Sequence, residues 1–483
     1  MKLEDLSALE LGNFVNNREI RPVEVITYFA EHIAKHNGNL NAFVYTKVDE
    51  ALEQAEKLQR KMEADKYYYA GPFAGVPFGL KDFLPSKKGW TNTHGGVKSM
   101  SDVDEYDSEF CKAMETAGGI AIGKTNAPAY GFRGTTDNKM YGPTNNPFNP
   151  KYNSGGSSGG SAAAVGGQLV PIAEGGDAGG SIRIPASWCN CFGFKASFGS
   201  IPNICRPDGW AASHPYCTPG GLTKTVDDAA ILLDYMSKYD SRDPLSAPFE
   251  RPGYFAGLAY ITSMTKSLGL KIAFTYDFNL FEVEPEICKC VYETAKLLGD
   301  IEEVKFHFKY NLATLSDAWC QGICVDSAVE TILDNRLDEE DVPAEFVEWN
   351  NKTKQSSILD YYNFHIIRTD VLDNIEDVFE KYDILISPTS CCLPVQNTIN
   401  TLGPAEINGK PCDSLIGFAQ TFLFNLTGHP AASVPAGFSE SGLPIGMQII
   451  GRRYHDEDVL KVSKLIENLK PWRQYYKKGV FRV

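Results

Sequence analysis

The sequence predicts an α/β fold in which helices cover a mixed β-sheet. Amphipathic segments with the helical spacing of apolar residues alternate with short apolar runs along most of the 483 residues, and this alternation is typical of layered α/β proteins. Hydrophobic residues make up 43% of the chain, which is enough for a large buried core. No internal repeat, low-complexity tract or obvious linker divides the chain, although its length alone suggests about three domains.

The predicted helices and strands follow one another in a regular order. Residues 48–64 place four apolar side chains on one helical face, namely Ala51, Leu52, Ala55 and Leu58. Pro22 suits the first turn of a helix, where its missing N–H is not needed. Helices are predicted over residues 4–14, 22–37, 48–64, 107–117, 284–298, 313–335, 355–381 and 456–469. Strands are predicted over residues 119–123, 192–195, 270–275, 384–386, 431–434 and 445–450.

Two glycine-rich loops that carry serines are the strongest functional signal. Residues 153–161 read Asn-Ser-Gly-Gly-Ser-Ser-Gly-Gly-Ser, and residues 175–185 read Gly-Gly-Asp-Ala-Gly-Gly-Ser-Ile-Arg-Ile-Pro. Glycine loses more chain entropy on folding than any other residue, so this density is tolerated where the backbone must approach a ligand. Ser157 and Ser181 therefore indicate a site in which backbone N–H groups stabilise negative charge. Flexible linkers are the alternative, but the small apolar run 162–165 predicts a packed helix.

Lys81 is the candidate base for these serines. A serine hydroxyl is a weak nucleophile unless a base activates it. Lys81 follows the short apolar segment 75–80, and burial in such surroundings lowers the pKa of a lysine, so that the neutral amine can act as a general base. An isolated lysine more often extends to the surface or pairs with a neighbour such as Asp82. The serine loops are what favour the catalytic role.

Other motifs give weaker signals. Residues 155–159 match the Gly-x-Ser-x-Gly nucleophile elbow, but that motif follows a core strand, and residues 145–154 predict a loop. Residues 263–266 fit Ser-x-x-Lys without an accompanying Lys-Thr-Gly, and an ordinary helical turn explains them. His32 and His36 have i, i+4 spacing, yet no glutamate follows the first histidine, so a solvated helix face is favoured over a metal site. No phosphate-binding glycine motif occurs in the glycine-rich stretch.

The two serine loops closely resemble the amidase signature family. Its pattern of Gly-Gly-Ser-Ser-Gly-Gly-Ser, an alanine-rich helix and Gly-x-Asp-x-Gly-Gly-Ser-Ile-Arg-x-Pro is present in full. The likeness covers nearly the whole chain and is least over residues 245–415. Further similar segments are 75–82, 122–126, 141–147, 424–431 and 442–452.

The resemblance implies a Ser–Ser–Lys triad, with Ser181 as nucleophile, Ser157 as proton relay and Lys81 as base. It also implies a cis peptide bond between Gly156 and Ser157. Lys81 would take a proton from Ser181 through Ser157, and water would later cleave the acyl-enzyme. The backbone N–H groups implied to hold the oxyanion belong to Ala178, Gly179, Gly180 and Ser181. Loop-supporting roles are implied for Ser158, Asp177 and Arg183, and no metal or cofactor takes part.

The resemblance further implies one large α/β/α domain with a central mixed sheet over residues 1–483, in place of three domains. The signature core would span about 75–200, and the divergent region, about 245–415, would contribute to the substrate pocket. Six residues of that region suit a core as well as a pocket, namely Trp319, Cys320, Cys324, Phe346, Trp349 and Tyr362. Gly176 stands where many members have threonine, which we interpret as a change in loop support.

Three functions remain after this comparison of motifs. A free-standing amidase, a hydrolase of linear carbon–nitrogen amide bonds, is the favoured one. The glutaminase subunit of a tRNA-dependent amidotransferase is the alternative, but residues 214–222 lack the Asp-Gln-Ile-Gly-Pro-like stretch that is usual there. A catalytically inactive binding protein is disfavoured because Lys81, Ser157 and Ser181 are all present.

Composition excludes several partner classes. The net charge of −15 and the pI of about 5.1 argue against direct nucleic-acid binding. No apolar run approaches the roughly 20 residues that a membrane span needs, and the acidic N-terminal segment lacks the apolar region of a signal peptide. The 12 cysteines include no Cys-x-x-Cys pair, which favours free thiols in the cytoplasm. We expect a small-molecule amide as the substrate, no nucleic-acid or membrane partner, and a homodimer as the assembly.

Overall fold

The computed structural model describes residues 2–83, 86–206, 208–248, 253–261, 268–333 and 336–479, with the backbone alone over 326–333. The strands in these ranges are β1 (Phe43–Thr46), β2 (Pro77–Lys81), β3 (Thr91–Asn92), β4 (Asp102–Val103), β5 (Ile120–Thr125), β6 (Ile172–Asp177), β7 (Phe192–Lys195), β8 (Thr218–Thr223), β9 (Ile272–Phe274), β10 (Ile301–Glu303), β11 (Ile384–Pro388), β12 (Glu406–Ile407), β13 (Lys410–Pro411), β14 (Ala431–Phe438) and β15 (Pro444–Gly451).

The helices in the same ranges carry most of the remaining chain. They are α1 (Ala8–Asn16), α2 (Pro22–Leu40), α3 (Val48–Ala64), α4 (Glu109–Thr116), α5 (Gly159–Gly166), α6 (Arg183–Trp188), α7 (Val226–Met236), α8 (Tyr254–Leu258), α9 (Pro285–Ala295), α10 (Leu312–Leu333), α11 (Ala344–Lys354), α12 (Ile358–Phe379), α13 (Leu423–Thr427) and α14 (Asp456–Leu469).

One mixed sheet of 11 strands organises the molecule. Its order is β1-β5-β2-β6-β8-β7-β14-β15-β11-β9-β10. Strand β2 runs parallel to both β5 and β6, and β9 runs parallel to β10 and β11, whereas the other neighbours are antiparallel. Helices flank this sheet, and the predicted α/β fold with a central mixed sheet is therefore confirmed.

The parallel pairing of β2 with β6 positions the functional loops. Parallel strands end at the same edge of a sheet, so the last residue of β2, Lys81, and the last residue of β6, Asp177, lie at one edge. Helix α5 packs against both strands. All eight of its residues are buried, and small side chains permit this close approach.

The long periodic segments are predicted well, and the glycine-rich ones are not. Helix α3 has the predicted bounds, and helices α2 and α14 also form where they are predicted. Strands β6 and β8 are missing from the prediction because each contains two adjacent glycines, which have low β propensity. Burial between neighbouring strands overrides that weakness. Helix α6 escapes prediction because it has only six residues and contains a proline.

Two minor motifs have different outcomes. The Ser-x-x-Lys match at residues 263–266 lies outside the described residues. His32 and His36 are partly exposed on α2, with ring centroids 4.5 Å apart. Burial lowers the pKa of His32 to about 4.

Over the described part of the chain, no group of three potential metal-ligating residues is found, and no helix there combines the length and the apolar character needed to cross a bilayer.

Candidate active site

Lys81 and Ser157 are in direct contact at the carboxyl edge of β2. The Lys81 Nζ donates a hydrogen bond to the Ser157 Oγ at 2.7 Å, and both side chains are buried. Burial lowers the pKa of Lys81 from its ordinary value of 10.5 to about 8. Glu174 and Asp177 limit the decrease because their negative charge favours the ammonium form, and Cys217 acts in the same direction when its thiol is ionised. This geometry places a lysine with a reduced proton affinity against a buried hydroxyl.

The turn that presents Ser157 requires glycine. The Gly156–Ser157 peptide bond is cis, which confirms the expectation from the family resemblance. A Cβ atom on Gly156 would lie 2.5 Å from the Thr135 carbonyl oxygen, so no other residue fits without moving that backbone. The Thr136 hydroxyl accepts a hydrogen bond from the Gly159 N–H at 3.1 Å and so fixes the start of α5.

Ser181 lies on the turn between β6 and α6 and is more exposed than Ser157. Its carbonyl oxygen accepts a hydrogen bond from the Ser158 N–H at 3.1 Å, which joins the two serine loops directly. The Ser158 hydroxyl in turn accepts a hydrogen bond from the Gly176 N–H at 3.4 Å. Within the described ranges, the Ser181 hydroxyl forms no hydrogen bond with another protein group, including Ser157. Ser157 and Ser181 thus lie on connected loops, and Lys81, at the end of β2, is hydrogen-bonded to Ser157.

A buried ion pair closes the turn that carries Ser181. Arg183 donates from Nε and Nη2 to the two carboxylate oxygens of Asp177 at 2.9 and 2.8 Å, and both side chains are fully buried. The same carboxylate accepts the N–H groups of Gly180 at 2.8 Å and Ile182 at 3.2 Å. Burial opposes ionisation of Asp177, but the Arg183 charge and hydrogen bonds outweigh it and lower the pKa to about 2.

Distant segments of the chain complete the coordination of Arg183. Its Nη1 donates to the Thr421 carbonyl oxygen at 2.9 Å and to the Gln448 Oε1 at 2.6 Å. Its Nη2 also donates to the Asn425 Oδ1 at 2.7 Å. Nothing in the local sequence assigns a role to these three residues. Asn425 and Gln448 nevertheless lie in two of the segments that resemble the family, 424–431 and 442–452, and that resemblance is the available signal.

The backbone N–H groups of the turn differ in availability. Gly180 already donates to Asp177, whereas the N–H groups of Gly179 and Ser181 reach no protein acceptor within the part of the chain that is described. Gly180 has φ +126, and a Cβ there would lie 1.9 Å from the Thr421 Oγ1. The Thr421 hydroxyl donates to the Gly179 carbonyl oxygen at 2.6 Å. The turn therefore presents free N–H groups on a conformation that glycine alone adopts readily.

Two residues of the divergent region border this turn and the Ser157 loop. The Trp319 Nε1 donates to the Ala178 carbonyl oxygen at 2.8 Å. Phe346 stacks on Tyr130 with a ring-centroid separation of 5.0 Å. Gly131, which follows Tyr130 in the chain, lies beside Ser157, because a Cβ atom added to this glycine would be 3.2 Å from the Ser157 Oγ. Of the other candidates, Cys320 and Cys324 are buried in the core, Trp349 packs against it, and Tyr362 is exposed.

A family profile described as Amidase matches residues 24–460. An acylamidase from Rhodococcus erythropolis is 31% identical over 477 residues, which covers 97% of this chain and 96% of the relative. One component of the glutamyl-tRNA(Gln) amidotransferase of Bacillus velezensis is 32% identical over 505 residues, which covers 97% of this chain and 98% of that relative.

Two solved structures are similar to this chain over nearly its whole length. A bacterial aryl acylamidase of the amidase signature family superposes with a TM-score of 0.93 at 37% identity, covering 98% of each chain. A 6-aminohexanoate cyclic dimer hydrolase, solved in complex with its substrate, superposes with a TM-score of 0.85 at 28% identity, again covering 98% of each chain.

We expect Arg183→Met to lower the free energy of unfolding by about 3–5 kcal/mol, because it leaves the buried Asp177 carboxylate without its partner. Urea unfolding measures this change. The matched control is Arg336→Met, since Arg336 forms a two-bond pair with Asp102 at the surface. Such exposed pairs contribute no more than about 1 kcal/mol. Equal losses in the two variants would contradict the structural importance of the buried pair.

Proposed function

The chain belongs to the amidase family, and from that premise we propose that Ser181 is the nucleophile of its amide hydrolysis. The protein is an amidohydrolase acting on carbon–nitrogen amide bonds. The observation that carries the assignment of residues is the 2.7 Å contact between the Lys81 Nζ and the Ser157 Oγ, next to the loop that presents Ser181. A lowered pKa alone does not identify a base, because burial also lowers the pKa values of Lys195 and Lys224 to about 7. The contact with Ser157 is what distinguishes Lys81.

Lys81 acts as the general base in this proposal. With a pKa of about 8, a substantial fraction of its amine is neutral near physiological pH. The neutral amine accepts the Ser157 proton along their hydrogen bond, and Ser157 takes the proton of Ser181 as the latter attacks the carbonyl carbon. Rotation of the partly exposed Ser181 side chain, or substrate binding, would bring the two hydroxyls into contact, because catalytic hydrogen bonds often tighten only when substrate binds.

The turn from Ala178 to Ser181 forms the oxyanion hole in this proposal. The N–H groups of Gly179 and Ser181 are the available donors, and the Gly180 N–H supports the turn by its bond to Asp177. Fixed donors of this kind stabilise the negative charge that develops on the carbonyl oxygen. Ser158, Asp177 and Arg183 hold the turn in position through the hydrogen bonds described above.

The remaining steps conserve atoms and protons. Ser157 returns a proton to the leaving nitrogen as the carbon–nitrogen bond breaks, which leaves an ester on the Ser181 oxygen. Water then attacks that ester with Lys81 and Ser157 again removing the proton. The products are a carboxylate and ammonia or an amine, and Ser181 regains its hydrogen. No metal or cofactor is required for any of these steps.

We propose a small carboxamide with an apolar or aryl group as the substrate class. The aromatic side chains of Tyr130, Phe346 and Trp319 border the serine loops, and aromatic surfaces favour such groups. The relatives that are named acylamidase and aryl acylamidase support this class. The glutaminase alternative keeps support from the Bacillus velezensis relative. Ammonia release from glutamine, compared with release from a panel of alkyl and aryl amides, distinguishes the two.

We also propose a single domain over residues 1–483, because 11 strands between residues 43 and 451 share one sheet. A cytoplasmic location is consistent with the 12 free cysteines. The divergent region, about 245–415, contributes Trp319 and Phe346 to the surroundings of the site and so supports a role in substrate selection. Gel filtration tests the homodimer that we expect.

Ser181→Ala is expected to abolish amide hydrolysis while leaving the thermal midpoint nearly unchanged, because it removes one partly exposed hydroxyl. A serine-directed phosphonate is expected to label Ser181 of the unaltered protein, as mass spectrometry of its peptides would reveal. Ser441→Ala, in an exposed turn, is the control and should keep both labelling and activity. Labelling at Ser157 alone would instead support the nucleophile-elbow motif.

Activity is expected to rise with pH through about 8, because Lys81 is protonated below its pKa and cannot accept a proton there. Lys81→Ala should lower kcat/KM by about 10²–10⁴-fold, the usual contribution of a general base. Lys81→Arg should fail almost as badly, since a guanidinium does not release its proton. The control is Lys112→Arg, at the surface of α4. Near-native turnover by Lys81→Arg would eliminate the lysine-base mechanism.

A further inference from the structure

On the side that faces β6, Glu174 holds the backbone of Lys81 in place of strand pairing, whereas on the other side Lys81 pairs with Thr125 of β5. The pairing of β2 with β6 extends through Phe78 and Gly79 and does not reach Lys81. The Lys81 N–H donates instead to the Glu174 Oε2 at 3.0 Å. Because Glu174 belongs to β6, its side chain continues the connection between the two strands up to the residue that carries the base.

The other oxygen of the same carboxylate contacts the start of α4. The Ser108 hydroxyl donates to the Glu174 Oε1 at 2.7 Å and accepts the Cys111 N–H at 3.1 Å as the N-cap of that helix. The positive end of a helix favours a nearby negative charge. Glu174 thus has two fixed donors, one on Lys81 and one on Ser108, and both favour its ionised form.

We propose that Glu174 is a positioning residue that tunes the proton affinity of Lys81, through the hydrogen bond that holds its negative charge at the Lys81 backbone N–H. The inference rests on the proposed role of Lys81 as the base. Glu174 lies just before the second loop of the signature pattern, which begins at Gly175. Within the described residues its carboxylate contacts neither serine of the triad.

The charged and titratable groups around this pair come from several elements. Around Glu174 these are Lys81 on β2, Ser108 and Cys111 at the start of α4, Lys124 on β5 and Asp104 after β4. Those that influence Lys81 are Glu174 and Asp177 on β6 and Cys217 before β8, with the Ser157 hydroxyl in contact and the Phe83 ring 5.3 Å from its Nζ.

The sign of the effect follows from the charges. Burial raises the pKa of Glu174 to about 7, against the hydrogen bonds from Ser108 and Lys81 and the charge of Lys124. Above that pH Glu174 is ionised and favours the Lys81 ammonium, so it raises the pKa of the base. Removal of the Glu174 charge therefore lowers the Lys81 pKa further, because one of the charges that oppose the effect of burial is then missing. The two groups titrate close together, so the pH profile reports both.

The test is the pH profile of kcat/KM for Glu174→Gln. Glutamine keeps one oxygen for the Lys81 N–H, and its amide N–H can donate to the Ser108 oxygen, so the change removes the charge and retains the contacts. The acid limb of this profile is the rise in kcat/KM that accompanies loss of the Lys81 proton. The expected result is a shift of the acid limb to lower pH by about one unit, the size that one opposite charge commonly produces. Well below the limb, kcat/KM relative to its own plateau would then rise about tenfold.

The matched control is Glu467→Gln. Burial also raises the pKa of Glu467 to about 7, but its carboxylate pairs with Lys464 at 2.8 Å on α14 and does not contact Lys81. Its acid limb should remain that of the unaltered enzyme. Glu174→Asp keeps the charge, so its acid limb should lie close to that of the unaltered enzyme even if its plateau value of kcat/KM falls. If Glu174 had a purely structural role, its variants would change the plateau value and leave the pH of the limb unchanged.

The outcomes separate this inference from the proposed function. If the acid limb lies near pH 8 and does not move in Glu174→Gln, the proposed role of Glu174 is overturned and Lys81 remains the base. An unaltered enzyme without any such limb would overturn the lysine base and, with it, this inference. If Glu174→Gln does not fold, Ser108→Ala replaces it. Loss of that donor disfavours ionised Glu174, so the limb should move in the same direction by a smaller amount, and an unmoved limb would contradict the proposal.

Discussion

The buried ion pair between Asp177 and Arg183 is the interaction on which the rest of the site depends. Asp177 ends a strand and Arg183 begins a helix, so their two parallel hydrogen bonds fix the intervening turn and the Ser181 that it carries. The remaining donors of Arg183 reach Asn425 on α13 and Gln448 on β15, which connects the turn to a distant helix and a distant strand. A pair buried this completely is stabilising only when each charge is fully hydrogen-bonded, and both partners meet that condition.

A second constraint acts on Lys81, the proposed base. Complete burial without negative neighbours would leave Lys81 neutral at every physiological pH but with little affinity for a proton, and a fully paired lysine would stay protonated. The structure lies between these limits, because burial lowers the pKa while Glu174 and Asp177 moderate the decrease. A pKa close to the working pH is the condition under which a general base is most effective. The same strands that form the core therefore adjust the chemistry at their ends.

The sequence predicts the local features of this site better than its long-range ones. The serine loops and the lysine are visible because glycine density and an apolar flank are local signals. Asn425 and Gln448 could not be placed by spacing, since they lie 242 and 265 residues from Arg183 and approach it only when the sheet forms. The role of Glu174 is invisible for a similar reason, because a glutamate within a glycine-rich strand gives no indication that pairing with β2 stops short of Lys81.

The titration of the Lys81 side chain by nitrogen-15 NMR tests the central claim most directly. Lysine-labelled protein would be followed across pH, and the Lys81 Nζ resonance would be assigned by its loss in Lys81→Arg. The expected midpoint is about 8, well below the ordinary lysine value of 10.5. A side chain that stays protonated up to that ordinary value would contradict a neutral Lys81 as the base for Ser157 and Ser181.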